Sequence, residues 1–170
     1  IAFHDTTVNG MHLLSSFKPF SISKSSGNIL FRLTVDDTLR PVPKEKRQRI
    51  RTFDTGNGDT VVDRVDDGSY QYIIKDIHGG DCCLLQCNKD FTDCRCALNG
   101  SRNMRIFGLN NALMLIFAFA GAHKEVLLIH ASLVRNNGYC YAFIAKSGTG
   151  KSTQVSMWLP YIPGCDLMND

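Results

Sequence analysis

The alternation of apolar and polar residues changes character once along this chain, and the change divides it into two kinds of elements. The first hundred or so residues read as mostly strands, in which a period of two sends successive side chains to opposite faces. Residues 28–35 (NILFRLTV) alternate this way and end at Asp36-Asp37. Residues 60–65 form a second strand, broken by Asp66-Asp67-Gly68, and 69–77 (SYQYIIKDI) completes a hairpin. Gly79-Gly80 interrupts again, after which 82–87 and 93–98 read as a further hairpin around 88–92. Short, closely spaced strands with polar turns predict an antiparallel meander.

Beyond about residues 100–108 the pattern is different. Residues 109–122 have helical length and are apolar all round, which predicts a helix buried on most sides. Its apolar run 112–122 (ALMLIFAFAGA) is too short to span a bilayer. Residues 126–134 (VLLIHASLV) predict a strand with His130 in its middle, and Asn136-Asn137-Gly138 predicts a tight turn into a strand over 139–144. A helix follows from Lys151 to about Leu159, stopped by Pro160, and residues 165–168 open another strand that ends at Asn169-Asp170. The expectation is an α+β chain with a β-rich antiparallel region over 1–107 and a second region over 108–170.

Between the strand at 139–144 and the following helix stands Ala145-Lys146-Ser147-Gly148-Thr149-Gly150-Lys151-Ser152-Thr153. With its first glycine replaced by Ala145, this is the G-x-x-x-x-G-K-[ST] phosphate-loop (Walker A) pattern. Gly148 and Gly150 let backbone N–H groups turn inward around phosphate oxygens. Lys151 supplies a mobile charge for the outer phosphates, and the Ser152 hydroxyl suits Mg²⁺. The helix that follows places its N-terminus at the same point. The pattern therefore predicts binding of a nucleoside triphosphate. His130 reads either as a satisfied core residue or as a ring close to the phosphates, since its strand is antiparallel to the one feeding the loop.

Composition narrows the alternatives. At 170 residues, with 44% hydrophobic and 21% charged residues, the chain has the balance of an ordinary globular protein. Its net charge of +3 is too small to argue for nucleic acid. The densest basic stretch, 44–51 (KEKRQRIR), follows Pro41 and Pro43 and reads as a solvated loop. Residues 1–20 include His4, His12 and Lys18 and lack the apolar core of a secretory leader, so a cytoplasmic setting without a membrane is expected. Of seven cysteines, Cys82, Cys83, Cys87, Cys94 and Cys96 cluster. They read either as buried free thiols or as an off-pattern zinc site. The chain opens at Ile1 and stops at Asp170 in mid-pattern, which reads as a C-terminally truncated piece of a longer protein.

The run LLIHASLVRNNGYCYAFIAKSGTGKSTQVSMWLP, followed by GCDLMND, resembles the HPr kinase/phosphorylase and phosphoenolpyruvate carboxykinase-like nucleotide-binding superfamily, in particular bacterial HPr-kinase-like proteins. The resemblance covers about residues 108–170. It implies the start of a mixed-sheet nucleotide-binding core, ATP and Mg²⁺ as cofactors, and a protein or small-molecule acceptor, and it leaves homo-oligomerisation open. By that resemblance Gly148–Ser152 and Lys151 hold the β- and γ-phosphates, and Ser152 with or without Thr153 meets Mg²⁺. Asp170 ligates the metal or helps deprotonate the acceptor hydroxyl, and His130 lies near the transferred phosphate. The family's usual Asn-Asp-Asp is cut after its first aspartate here. The implied activity is transfer of the ATP γ-phosphate to a protein serine or small-molecule hydroxyl. A nucleotide-binding regulatory module without turnover is the alternative, and a carboxykinase or a zinc-bearing interaction domain ranks lower.

Overall fold

The computed structural model describes residues 1–4, 7–23, 27–54 and 57–170. These form two compact units, Ile1–Leu127 and Leu128–Asp170. The fold is α+β, and its larger sheet is mixed.

In the first unit the strands are β1 (Ala2–Phe3), β2 (Arg32–Val35), β3 (Arg47–Asp54), β4 (Asp59–Val65), β5 (Tyr70–Lys75), β6 (Asp81–Cys87) and β7 (Asp93–Leu98). Their order in the sheet is β1-β2-β7-β6-β5-β4-β3. From β4 to β7 it is the expected antiparallel meander, and β3, which was not expected, adds antiparallel to β4 at the edge. It becomes mixed because β2 pairs parallel to β7, with Leu33 beside Cys94 and Val35 beside Cys96, and β1 pairs parallel to β2. Only the second half of the strand expected over 28–35 forms.

The basic stretch 44–51 is not a solvated loop. After a short 3₁₀ turn at Lys44–Lys46 it enters edge strand β3. There Arg47 and Arg49 both donate to the carboxylate of Asp63, which is 1% exposed, and Gln71 Nε2 donates to the same group at 3.3 Å. Two guanidinium groups at alternate positions of a strand reach one side of the sheet, so Arg47 and Arg49 are paired with Asp63 while the edge strand itself stays mostly exposed.

Each face of this sheet has its own cover. Leu33, Val35, Tyr72, Ile74, Leu85 and Leu98 point into a core shared with helix α1 (Arg102–Ala122), which contributes Leu109, Ala112, Leu113 and Ile116. Gly108 allows the close approach: a Cβ there would stand 2.8 Å from the Cys82 carbonyl oxygen and 2.8 Å from Cys83 Cβ. The connection between β2 and β3 crosses the other face, where Val42 N donates to Gln71 Oε1 at 2.7 Å and Gln86 Nε2 to the Arg40 carbonyl at 2.8 Å. Asp36 opens that connection. Hydrogen bonds from Thr38 and then from Arg95 hold its carboxyl far below the usual carboxylate range.

Helix α1 begins seven residues earlier than the apolar pattern predicts, because the Ser101 side chain caps it by accepting from Met104 N at 3.4 Å. At 21 residues it is long and apolar enough to cross a membrane, unlike the 11-residue run read from the sequence, although the core helix of a soluble protein meets the same test. It is buried on one face rather than on most sides: Leu109, Ala112, Ile116 and Ala120 face the core, while Met114 and Phe117 are exposed. Because α1 packs on the first sheet, the division of the chain falls after Leu127 rather than at 107/108.

In the second unit β8 (Ala131–Asn136), β9 (Tyr139–Ile144) and β10 (Asp166–Asn169) form a sheet in the order β10-β8-β9, joined by helix α2 (Lys151–Tyr161). Its described strands pair antiparallel throughout, so the mixed pairing expected here occurs in the other unit. The β8–β9 turn has Asn137 at φ 50° and Gly138 at φ 80°, the left-handed pair that a two-residue hairpin needs. Trp158 on α2 contacts the rings of Tyr141 and Phe143 on β9, at 5.1 and 5.4 Å between centroids. The helix runs past Pro160, which falls in its last turn.

Candidate functional site

The candidate site lies within the second unit and grows from the end of β9. After Ile144 the chain leaves the sheet, turns through residues 145–150 and enters α2 at Lys151. Gly148 at φ 79° and Gly150 at φ 95° adopt the left-handed conformation that a side chain disfavours. The Thr149 hydroxyl donates to the Lys146 carbonyl at 2.7 Å, and Lys151 Nζ donates to the Ala145 and Lys146 carbonyls at 3.1 and 3.2 Å. The lysine thus spans the loop from within. Gly150 caps α2 without a side-chain hydrogen bond, and the first turn holds no acidic residue. The uncapped amides and the positive end of the helix dipole leave this terminus suited to an anion.

A cavity of about 490 Å³ opens over this terminus, lined by His130, Ser132, Gly148, Lys151, Ser152 and Asp170 among others. Asp170 reaches it from the far side of the sheet. β10 pairs with β8 and carries an irregularity between Leu167 and Asn169, the kind of bulge that re-aims a strand's last residues. Asn169 Nδ2 donates to the Ala131 carbonyl at 3.2 Å, and the Ser132 hydroxyl donates to the Asp170 carboxylate. That bond, a second from Ser152 and the charge of Lys151 hold the Asp170 carboxyl below its ordinary value. Ser132 of β8 and Ser152 and Lys151 of α2 therefore converge on one carboxylate that follows β10.

Ala145, Lys146, Ser147, Gly148, Thr149, Gly150, Lys151, Ser152 and Thr153 form one loop and helix start, with Asp170 beside Ser152. His130 lies elsewhere than mid-strand. It precedes β8, is exposed, and is among the residues lining the cavity. The strand expected over 126–134 cannot extend back to it, because Ala131 pairs with Ile144 and β9 ends there. Ser132 was missed by sequence reasoning. The available signal was its spacing of two from His130, which places both on one side of an extended chain.

Among the described residues no group of three or more His, Cys, Asp and Glu side chains is arranged to hold a metal ion. Ser152 and Asp170 offer one hydroxyl and one carboxylate, a set that fits Mg²⁺ only when phosphate oxygens and water complete the shell. The cysteine cluster offers no zinc site. Cys83, Cys87, Cys94 and Cys96 belong to the hydrophobic core, whereas Cys82 alternates to the opposite side of β6. Hydrogen bonding between thiols, from Cys96 to Cys83 and from Cys94 to Cys87, and then burial push the Cys83 and Cys87 thiols up, which favours the neutral form. Comparison of the chain with protein-family models, with characterised proteins and with solved structures gave no match.

Proposed function

We propose that the second unit binds a nucleoside triphosphate with Mg²⁺, and that the protein is an HPr-kinase-like phosphotransferase acting on the hydroxyl of a protein serine or a small molecule. The observation that carries the reading is the convergence of Lys151, Ser152 and Asp170 on one cavity at an uncapped helix N-terminus. Each group has a place in the chemistry. The 148–152 amides would receive the β- and γ-phosphates, and Lys151 would exchange the Ala145 and Lys146 carbonyls for phosphate oxygens. Ser152 and Asp170 would hold Mg²⁺, which when bound neutralises charge developing on the phosphoryl oxygens. In the alternative role Asp170 would leave the metal to Ser152, phosphate oxygens and water and help deprotonate the acceptor hydroxyl, with His130 among the residues lining the same cavity.

The test is calorimetric titration of Mg·ATP into the protein and into Lys151→Ala. Micromolar binding to the first and binding at least about tenfold weaker to the second supports the reading. Equal behaviour of the two removes it.

A further inference from the structure

Four thiols share one face of the β6–β7 hairpin: Cys83 and Cys87 on β6, Cys94 and Cys96 on β7, none more than 2% exposed. Thiols touch both in the pair Cys83–Cys96 and in the pair Cys87–Cys94, so contact alone does not distinguish them. The backbone register does. Cys87 stands directly opposite Cys94, whereas Cys83 faces Leu98 and Cys96 faces Leu85. Asn88 N donates to the Asp93 carbonyl at 3.0 Å and Asn99 N to the Cys82 carbonyl at 2.9 Å, which identifies those rungs as hydrogen-bonded. By alternation Cys87 and Cys94 occupy a non-hydrogen-bonded rung, where Cα atoms stand about 4.5 Å apart. That falls inside the span of about 4.4–6.8 Å that a disulfide bridges. Cys83 and Cys96 are diagonal neighbours, about 7–8 Å apart, beyond reach unless the backbone moves.

We propose that Cys87 and Cys94 are an oxidation site, converted by a low-molecular-weight disulfide such as oxidised glutathione into one cross-strand disulfide, while Cys83 and Cys96 stay as thiols. One protein thiolate attacks the oxidant's S–S bond and displaces a glutathione thiolate. The second protein thiolate then displaces the other glutathione from the mixed disulfide. The two thiol protons end on the two released glutathiones, and the protein loses two electrons to the oxidant. Burial makes the first attack slow, because the hairpin tip at Lys89 and Asp90 must open before a thiolate forms. Phe91 closes that tip from inside, 4% exposed and stacked on Phe119 of α1 at 4.6 Å. The bridge fastens the turn that presents this ring.

Trypsin resolves the question, because Lys75, Lys89, Arg95 and Arg102 divide the cysteines among three peptides. Peptide 76–89 holds Cys82, Cys83 and Cys87, peptide 90–95 holds Cys94 alone, and peptide 96–102 holds Cys96 alone. The full chain is incubated with oxidised glutathione at mildly alkaline pH, alkylated and digested. The expected product is 76–89 joined to 90–95 through Cys87, lighter by two hydrogens than the sum of the free peptides, with 96–102 alkylated. Exposed Cys140 should carry glutathione and shows that the oxidant acted. The Cys87→Ser variant should leave 90–95 unlinked to any other peptide. Linkage of 96–102, transfer of the bridge to Cys82 or Cys83, or free Cys87 and Cys94 beside glutathionylated Cys140 each overturns the proposal.

Discussion

The two units invest their residues differently. The first covers its sheet on both faces, and residues from Leu13 to Ala120 form its core. The second buries few apolar side chains among its described residues, namely Ala131, Val134 and Val155, and leaves β9 and β10 mostly exposed. Its fixed contacts are largely polar: Ser132 to Asp170, Arg135 to Asp166, Asn136 Nδ2 to the Pro163 carbonyl at 2.9 Å. Dense packing gives stability, whereas open loops and edges leave polar groups free to meet a ligand. Stability and candidate chemistry are therefore separable by mutation.

The largest effect is expected at the Arg47–Asp63–Arg49 cluster. Asp63→Ala leaves two guanidinium groups without their buried carboxylate and should lower unfolding free energy by about 3–5 kcal/mol, read by denaturant titration. Mg·ATP binding by the folded fraction should be unchanged; its loss would break the separation of the units. Next comes Leu85→Ala, at a position 0% exposed, with an expected loss of about 2–5 kcal/mol and the same indifference of the ligand. In the other direction, Lys151→Ala should weaken Mg·ATP binding at least about tenfold, or about 1.4 kcal/mol, by calorimetry. Its thermal midpoint without ligand should stay that of the parent.

The smallest effect concerns pH. Asp170 has its carboxyl depressed, first by Ser132 and then by Ser152. A depressed carboxyl keeps its charge above the folded-state value, so affinity that depends on it persists as pH falls through the ordinary carboxylate range and declines only below. Ser132→Ala removes the leading donor and should move that decline to higher pH, measured as Mg·ATP affinity against pH. A decline at the parent's pH would mean that Ser132 does not tune this carboxylate.

Local signals in the sequence located most of the elements. Between residues 60 and 98 the strands are punctuated by Asp66-Asp67-Gly68, Gly79-Gly80 and the polar segment 88–92, and they form the hairpins expected of them. The glycine loop was legible because Gly148 and Gly150 are needed for conformations that other residues avoid. Strand β3 was hidden, since a run of arginines resembles solvated chain until its partner Asp63 is known. The start of α1 depended on the Ser101 cap, and the start of β8 on where its partner strand ends.

The sequence alone determined the alternation of strands, the hairpin turns and the conformation of the glycine loop, because each depends on residues within a few positions of one another. Tertiary structure decided the parallel pairing of β2 with β7, the cover on each face of the first sheet, and the meeting of Asp170 with Ser132 and Ser152. Those depend on contacts between residues far apart in the chain, and only closing the intervening loops brings such partners together.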